Sequence, residues 1–300
     1  MTPPSSSSQP HLLSPAPPCV LLFNANDPSG AGGLTADVTS VISVGCHPLT
    51  VLTGAYARDT SDIHAHFTLS EDAVAEQARS VLEDMPVQAI KVGFAGSAAN
   101  LGMIAHVAAD YPELPLVAYM PPLSWWHEDE IEPYLQAFAE LLLPQTSVLV
   151  GSHGALWRWL LPERASSRPP TARELAQAAA AQGAPCVLVS GIPVAAQQLG
   201  NQLCSPQGLL YSANTTRLES RFGGAGDTLA ATLAALLASG HDLDAAAREA
   251  LGYLERSLGQ GFAPGMGQSL PNRMFWALTD DDNSPDDHPS FEATQPLAGL

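Results

Sequence analysis

Short apolar runs alternate with longer helical patterns along most of this 300-residue chain, and that alternation limits its fold more than any other feature. Cys19–Phe23, Leu49–Leu52, Ala89–Val92, Pro115–Tyr119, Ser147–Val150 and Cys186–Ser190 read as buried strands. Between them, helical spacing covers Leu34–Val44, Glu71–Leu82, Ala98–Ala109, Ile131–Leu142 and Ala172–Gln182. Strands that are apolar throughout must be covered on both faces. The pattern therefore predicts an α/β fold with a mainly parallel central sheet flanked by helices. Gln197–Leu203 and Gly208–Ser212 read as a hairpin turning at Ser205-Pro206-Gln207, and helices over Asp227–Ser239 and Leu243–Gly259 close the domain. Ligands of such sheets bind outside the carboxyl ends of the strands, where Asp27, Tyr119, Ser152 and Asp227 fall.

Composition sets the boundaries of that domain. Hydrophobic content of 46% with 14% charged residues describes one packed unit, expected over residues 19–279. Residues 1–18 hold six prolines and five serines without apolar periodicity, and read as a disordered lead-in. Residues 280–300 carry Asp280, Asp281, Asp282, Asp286, Asp287 and Glu292 and read as an acidic disordered tail. No apolar run approaches the ~20 residues that span a bilayer, and no basic stretch precedes an apolar one at the start. The net charge of −18 argues against nucleic acid and anionic membranes as partners. Cys19, Cys46, Cys186 and Cys204 form no C-x-x-C pair, as expected of reduced thiols in a cytoplasmic protein.

Two motifs carry chemistry. In the stretch 222–240, Gly224, Ala225 and Gly226 lead into an Ala- and Leu-rich helix with Asp227 at its entrance. Open backbone N–H groups at a helix start attract anions, and a carboxylate beside an anion site is suited to take a proton from a hydroxyl. The plainer alternative is an Asp that caps the helix. The other motif, Asn24 to Asp37, follows the first strand with an Asp27-Pro28-Ser29-Gly30 turn and the small residues Ala31-Gly32-Gly33. It is neither a dinucleotide fingerprint nor a Walker P-loop. Lys91 is the only lysine and stands at the end of an apolar strand, so it serves either as a buried ion pair or as a phosphate contact. His64 and His66 share a strand face but have no third ligand near them, so they read as exposed histidines. Trp125-Trp126-His127-Glu128 reads as a loop packed on the surface, with stacking over a ring as the other option. Trp157, Arg158 and Trp159 read as the packing face of a helix.

Together the two motifs resemble the hydroxymethylpyrimidine and phosphomethylpyrimidine kinases of thiamine biosynthesis, a branch of the ribokinase-like superfamily. Asn26–Asp37 keeps the family's Asp-Pro-Ser-Gly, its small residues and its Ala-Asp. Lys91-Val92-Gly93 stands for Lys-Ile-Gly, and Gly224–Asp227 is the superfamily's Gly-Ala-Gly-Asp. The resemblance implies a three-layer ribokinase-like fold and transfer of the ATP γ-phosphate to the hydroxymethyl group of an aminopyrimidine. Bifunctional members carry out a second transfer to the monophosphate. It further implies ATP and Mg2+ as cofactors, a pyrimidine-like substrate and a homodimer. Asp227 is the implied base, and Gly224, Ala225 and Gly226 the implied anion hole. Asn26, Asp37, Arg58 and Phe94 are implied to bind substrate.

The sequence departs from the family pattern at several positions. Asp227 stands where pyrimidine kinases usually carry Cys, and Arg58 where they carry a glutamine that reads the pyrimidine edge. Arginine offers donors only, so Arg58 suits an acceptor or an anion, or else pairs with Asp59 or Asp62 at the surface. Tyr119-Met120-Pro121-Pro122, Val150–Ala155 and Ser190-Gly191-Ile192 replace Asp-Pro-Val, Thr-Pro-Asn-x-x-Glu and Lys-Gly-Gly. The nucleotide side thereby lacks the family's lysine, asparagine and glutamate. Two other readings stay open on that account: a silent small-molecule-binding protein on the same fold, and a kinase for a pyridoxal-like vitamin.

Overall fold

Alternating side chains divide the first strand between two hydrophobic cores. The computed structural model describes residues 15–164 and 168–277. In β1 (Cys19–Asn26), Cys19, Leu21 and Phe23 face one core while Val20 and Leu22 face the other. A strand apolar on both faces belongs in the middle of a sheet, and there it lies. It pairs in parallel with β2 (His47–Arg58) on one side and β4 (Ala89–Val92) on the other. β5 (Leu116–Met120), β6 (Val148–Ser152) and β7 (Val187–Ala195) continue the parallel run.

Antiparallel strands close both edges. β3 (Ile63–Thr68) folds back on β2, while β8 (Gln198–Cys204) and β9 (Leu209–Thr216) extend β7 as a meander. The order is β3-β2-β1-β4-β5-β6-β7-β8-β9. The expected hairpin closes through reciprocal backbone hydrogen bonds between Ser205 and Gly208. β3 is the strand that carries His64 and His66, to which the sequence reading gives no bounds. Its Ile-His-Ala-His-Phe-Thr sequence is half polar because an edge strand leaves much of its surface to solvent.

Helices α1 (Gly33–Ser43), α7 (Ala225–Ala238) and α8 (Leu243–Gly259) cover one face, with α7 at the centre and buried along most of its length. The other face takes α2 (Glu71–Leu82), α3 (Ala98–Ala109), α4 (Glu128–Ala137), α5 (His153–Leu160) and α6 (Ala172–Ala180). This is the three-layer α/β arrangement that the alternation predicts. Ser70, Ser97, Ser152 and Thr171 cap the starts of α2, α3, α5 and α6 with their side chains. α4 begins three residues before its predicted start and passes at Phe138–Leu142 into a wider π turn. Trp157 and Trp159 lie on α5 and pack partly buried against the core.

Residues 1–14 and 278–300 lie outside the described residues. With them lie most of the expected lead-in and the whole of the expected acidic tail. No helix among the described residues is long and apolar enough to cross a membrane. All four cysteines are free, and burial pushes each thiol up from its ordinary value.

Candidate active site

The carboxyl ends of β1, β2, β4 and β5 open into a cleft of about 400 Å³ whose far wall is the start of α7. Gly224 precedes that helix in the left-handed region (φ 73°), and a side chain there would run into the carbonyl of Ala31. The two sequence motifs therefore touch, and only glycine allows it. Gly226 is small for a different reason: a methyl group on it would strike the ring of Tyr119. No side chain caps α7, so the first-turn N–H groups of Ala225, Gly226 and Asp227 have no intrahelical acceptor. They stand on the cleft wall as an anion site. Asp227 occupies the third helical position and does not cap the helix, which removes the plainer alternative.

A buried polar cluster fixes the Asp227 carboxylate. Its Oδ1 accepts hydrogen bonds from Asn24 Nδ2 (2.8 Å) and Lys91 Nζ (2.9 Å), and its Oδ2 accepts one from Gly33 N (3.2 Å). Oδ1 is thus occupied, while Oδ2 keeps a lone pair for the cleft. The side chain is 15% exposed, enough to reach a ligand. Lys91 is fully buried and spends its other two protons on Asp37, at 2.8 Å to each carboxylate oxygen. It is an ion-pair lysine, out of reach of any phosphate. Asn24 Nδ2 also donates to Asp37 Oδ2 (2.9 Å), and its Oδ1 accepts from Ala25 N and Phe94 N.

One ammonium shared between two carboxylates leaves an excess negative charge in a dry site. Burial pushes the Asp37 carboxyl up to about 6, against the opposing pull of Lys91 and with the help of Asp227. Burial also works against the Lys91 ammonium, but Asp227 and Asp37 outweigh it and raise its pKa.

A second cavity, of about 590 Å³, lies on the other side of the α7 start and shares Phe222 and Ala225 with the cleft. The ends of β7, β8 and β9 and one face of α8 form it, with Ser190, Gly191, Asn201, Arg217 and Arg221 among its walls. An extended molecule could lie in this cavity and reach the anion site from behind.

The sequence-derived site residues divide between the cleft and its surroundings. Asp227, Gly224, Ala225, Gly226, Arg58 and Phe94 line the cleft. Asn26 does not: it is exposed at the last position of β1, whereas Asn24, two residues earlier, is buried and lines the cleft. Asp37 is sealed beneath the floor with no exposed surface, so its role is to hold Lys91 and Asn24. Arg58 pairs with Asp27 at 3.1 Å, not with the Asp59 or Asp62 side chain. Ser152 is spent on capping α5, and His153 is buried against the carbonyl of Pro170.

The Trp125–Trp126 segment departs from its surface reading. Trp126 is buried and Trp125 forms part of the cleft wall. Both pack edge-on to Phe94, with ring centroids 4.9 and 5.3 Å from it. His66 joins the same aromatic cluster 4.9 Å from Phe94, and burial lowers its pKa; His64 pairs with Asp59 outside. Sequence reasoning missed the role of Arg273. Its guanidinium donates to Thr228 Oγ1 and to the carbonyls of Gly30 and Ala31, stapling the two motifs together. An arginine outside both motifs carries no local signal of that task.

Known proteins are similar to this chain in sequence and in fold. A hydroxymethylpyrimidine/phosphomethylpyrimidine kinase of Streptomyces coelicolor is 29% identical over 265 residues, covering 87% of this chain and 96% of its own. The fold recurs in pyridoxal kinase of Bacillus subtilis, solved with ADP (TM-score 0.77, 19% identity, 88% of this chain and 100% of that one). It recurs again in phosphomethylpyrimidine kinase of Clostridium difficile (TM-score 0.66, 18% identity, 80% and 99%). Residues 27–272, from the Asp27 turn to the residue before Arg273, match the phosphomethylpyrimidine kinase family, and this chain belongs to it.

Proposed function

We propose that this protein phosphorylates the hydroxymethyl group of an aminopyrimidine with ATP, as the kinases of thiamine biosynthesis do. The observation that carries this reading is the Oδ2 of Asp227, free on the cleft side and adjoining the open N–H groups of α7. Asp227 takes the hydroxyl proton and the freed oxygen attacks the γ-phosphorus. The bond from that phosphorus to the β–γ bridging oxygen breaks, and ADP leaves with the electron pair. The first turn of α7 receives the charge that develops on the phosphoryl oxygens. Phe94, Tyr56 and Trp125 give a flat ring apolar surface to stack on.

ATP fits the second cavity, where Arg217 and Arg221 offer positive charge that the missing lysine does not. Mg2+ carried by the nucleotide would neutralise phosphate charge. Glu219 and Glu255 stand on that wall, and one or two carboxylates beside phosphate oxygens are the donors this ion takes. The reading includes a homodimer in the cytoplasm, which light scattering and fractionation check. The deciding assay incubates purified protein with ATP and a panel of hydroxymethyl pyrimidines and pyridines. A phosphorylated aminopyrimidine is expected. Phosphorylation of a pyridine alone, or of nothing, would overturn the reading.

A further inference from the structure

The cleft wall holds three carboxylates, Asp27, Asp62 and Asp227, and among its described residues a single cation, Arg58. A phosphoryl group entering there meets an acidic surface, so whatever cation faces it matters. The other buried cations are spent. Lys91 gives all three protons to Asp37 and Asp227, and Arg273 gives its donors to Thr228, Gly30 and Ala31 behind the wall.

Arg58 is held but not used up. Its Nη1 pairs with Asp27 Oδ2 at 3.1 Å and its Nε donates to the carbonyl of Asp59 at 3.2 Å, while Nη2 has no hydrogen-bond partner among the described residues. Its side chain is 12% exposed and stands on the cleft wall, so Nη2 is open to the cleft and to whatever ligand displaces water there. Asp27 is itself saturated: Oδ1 takes the N–H and hydroxyl of Ser29, and Oδ2 takes Gly32 N at 2.8 Å as well as Arg58. Asp27 therefore acts as a fixed clamp that sets the plane of the guanidinium.

That plane lies beside the anion site. A methyl group built on Gly223, the residue before the α7 cap, would sit 3.9 Å from Arg58 Nη2. A methyl group on Gly32 would lie 2.9 Å from Asp227 Oδ2 and 3.5 Å from Asp27 Oδ2, so the clamp and the base flank the same glycine.

Building on the proposed phosphotransfer, we infer that Arg58 is a catalytic residue whose Nη2 contacts a phosphoryl oxygen at the mouth of the α7 anion site. It donates N–H to a non-bridging oxygen and exchanges no proton; the oxygen–phosphorus bonds made and broken are those of the transfer itself. The phosphate has two possible sources: the group in transit from the nucleotide, or a monophosphate already carried by the acceptor in a second transfer.

The experiment compares wild type with Arg58→Gln and Arg58→Lys. Intrinsic fluorescence, with Trp125 on the cleft wall as reporter, is titrated with inorganic phosphate. Loss of a charge-assisted contact should weaken phosphate binding roughly tenfold to a hundredfold in the Gln variant, and Lys should restore part of it. A wild type that binds no phosphate, or a Gln variant that binds it as wild type does, overturns the assignment. If the Gln variant does not fold, the Lys variant decides by the same titration, since a point charge lacks the fork that the clamp holds.

Kinetics then separate the sources. A fall in kcat on the hydroxymethyl aminopyrimidine at unchanged KM identifies the group in transit. A higher KM for its monophosphate alone identifies the acceptor's phosphate. Equal KM increases for both acceptors, with phosphate binding intact, would show that Arg58 reads the ring edge, and would overturn the inference. Should wild type phosphorylate neither acceptor, the proposed function fails while the phosphate titration still decides the role of Arg58.

Discussion

The cleft at Asp227 and the neighbouring cavity proposed for the nucleotide meet at one helix start but are built by different means. In the cleft, Asn24, Asp27, Asp37 and Lys91 are buried and hydrogen-bonded to one another, to Asp227 or to the adjoining backbone. The nucleotide cavity relies on strand ends, main chain and the exposed residues Arg217 and Arg221. Groups that must move a proton need fixed geometry, and burial with full pairing supplies it. A polyphosphate needs charge within reach, which exposed arginines at a rim can give. The family's nucleotide-side lysine, asparagine and glutamate can therefore be absent while the acceptor side keeps its order.

The largest expected effect tests the buried side. Lys91→Met leaves Asp37 and Asp227 facing each other without a cation. Breaking a buried ion pair by removing one partner typically costs about 3–5 kcal/mol. Arg217→Gln on the other side should change stability by no more than about 0.5 kcal/mol. Denaturant titration of both variants checks the pair. Equal losses would erase the distinction drawn between the two cavities.

Next in size is Asp227→Asn. The amide keeps the volume and leaves Lys91 its bonds to Asp37, but it has no basic lone pair for the hydroxyl proton. We expect kcat to fall by roughly two or more orders of magnitude. Because Asp227 does not cap α7, the melting temperature should not fall in step with activity. An unchanged kcat would remove Asp227 as the base and leave the cleft a binding site.

The two halves also differ in how far the sequence discloses them. The boundaries of α2, α3, α8 and β4 coincide with the sequence reading because apolar period, serine caps and flanking turns agree there. Within the cleft, Asp227 and the glycines of its turn are legible because the chemistry is local. Lys91 was ambiguous because its partners lie 54 and 136 residues away, and no spacing rule joins them. Choosing between Asn24 and Asn26, two residues apart and equivalent by strand alternation, depends on where β1 runs out of the core into solvent, which no local pattern marks. Trp125 looked superficial because Tyr56 and Phe94, which it packs against, come from distant segments. On the nucleotide side, the sequence shows what is missing more readily than what replaces it.

A pH effect of intermediate size follows from Asp37. Its carboxyl stands at about 6 in the folded chain against 3.8 as a free side chain, so the folded state holds a proton that the unfolded state releases. Stability contributed by that proton is present below about pH 4 and is lost as pH rises to 6. Asp37→Asn lacks this titration. Its stability relative to wild type should rise across the window by about 3 kcal/mol, then level off. Thermal melts of both proteins at pH 4, 5, 6 and 7 test the slope. Parallel curves would mean that Lys91 keeps Asp37 ionised throughout.

The smallest expected effect bears on the nucleotide side. Arg217→Gln combined with Arg221→Gln should raise the KM for ATP about tenfold, the equivalent of one lost phosphate contact. The KM for the acceptor and the melting temperature should stay near wild type, because both side chains lie on the nucleotide cavity and outside the buried cluster. Exposed charges are screened by salt, so raising ionic strength should weaken ATP binding in wild type and have much less effect in the double variant. Calorimetry with ATP alone, at low and high salt, separates this from any change in turnover. If the double variant binds ATP as wild type does, main-chain groups at the α7 start hold the phosphates unaided, and the nucleotide side is as prearranged as the cleft. If it also loses acceptor affinity, the two cavities are coupled through Phe222 and Ala225, the residues they share.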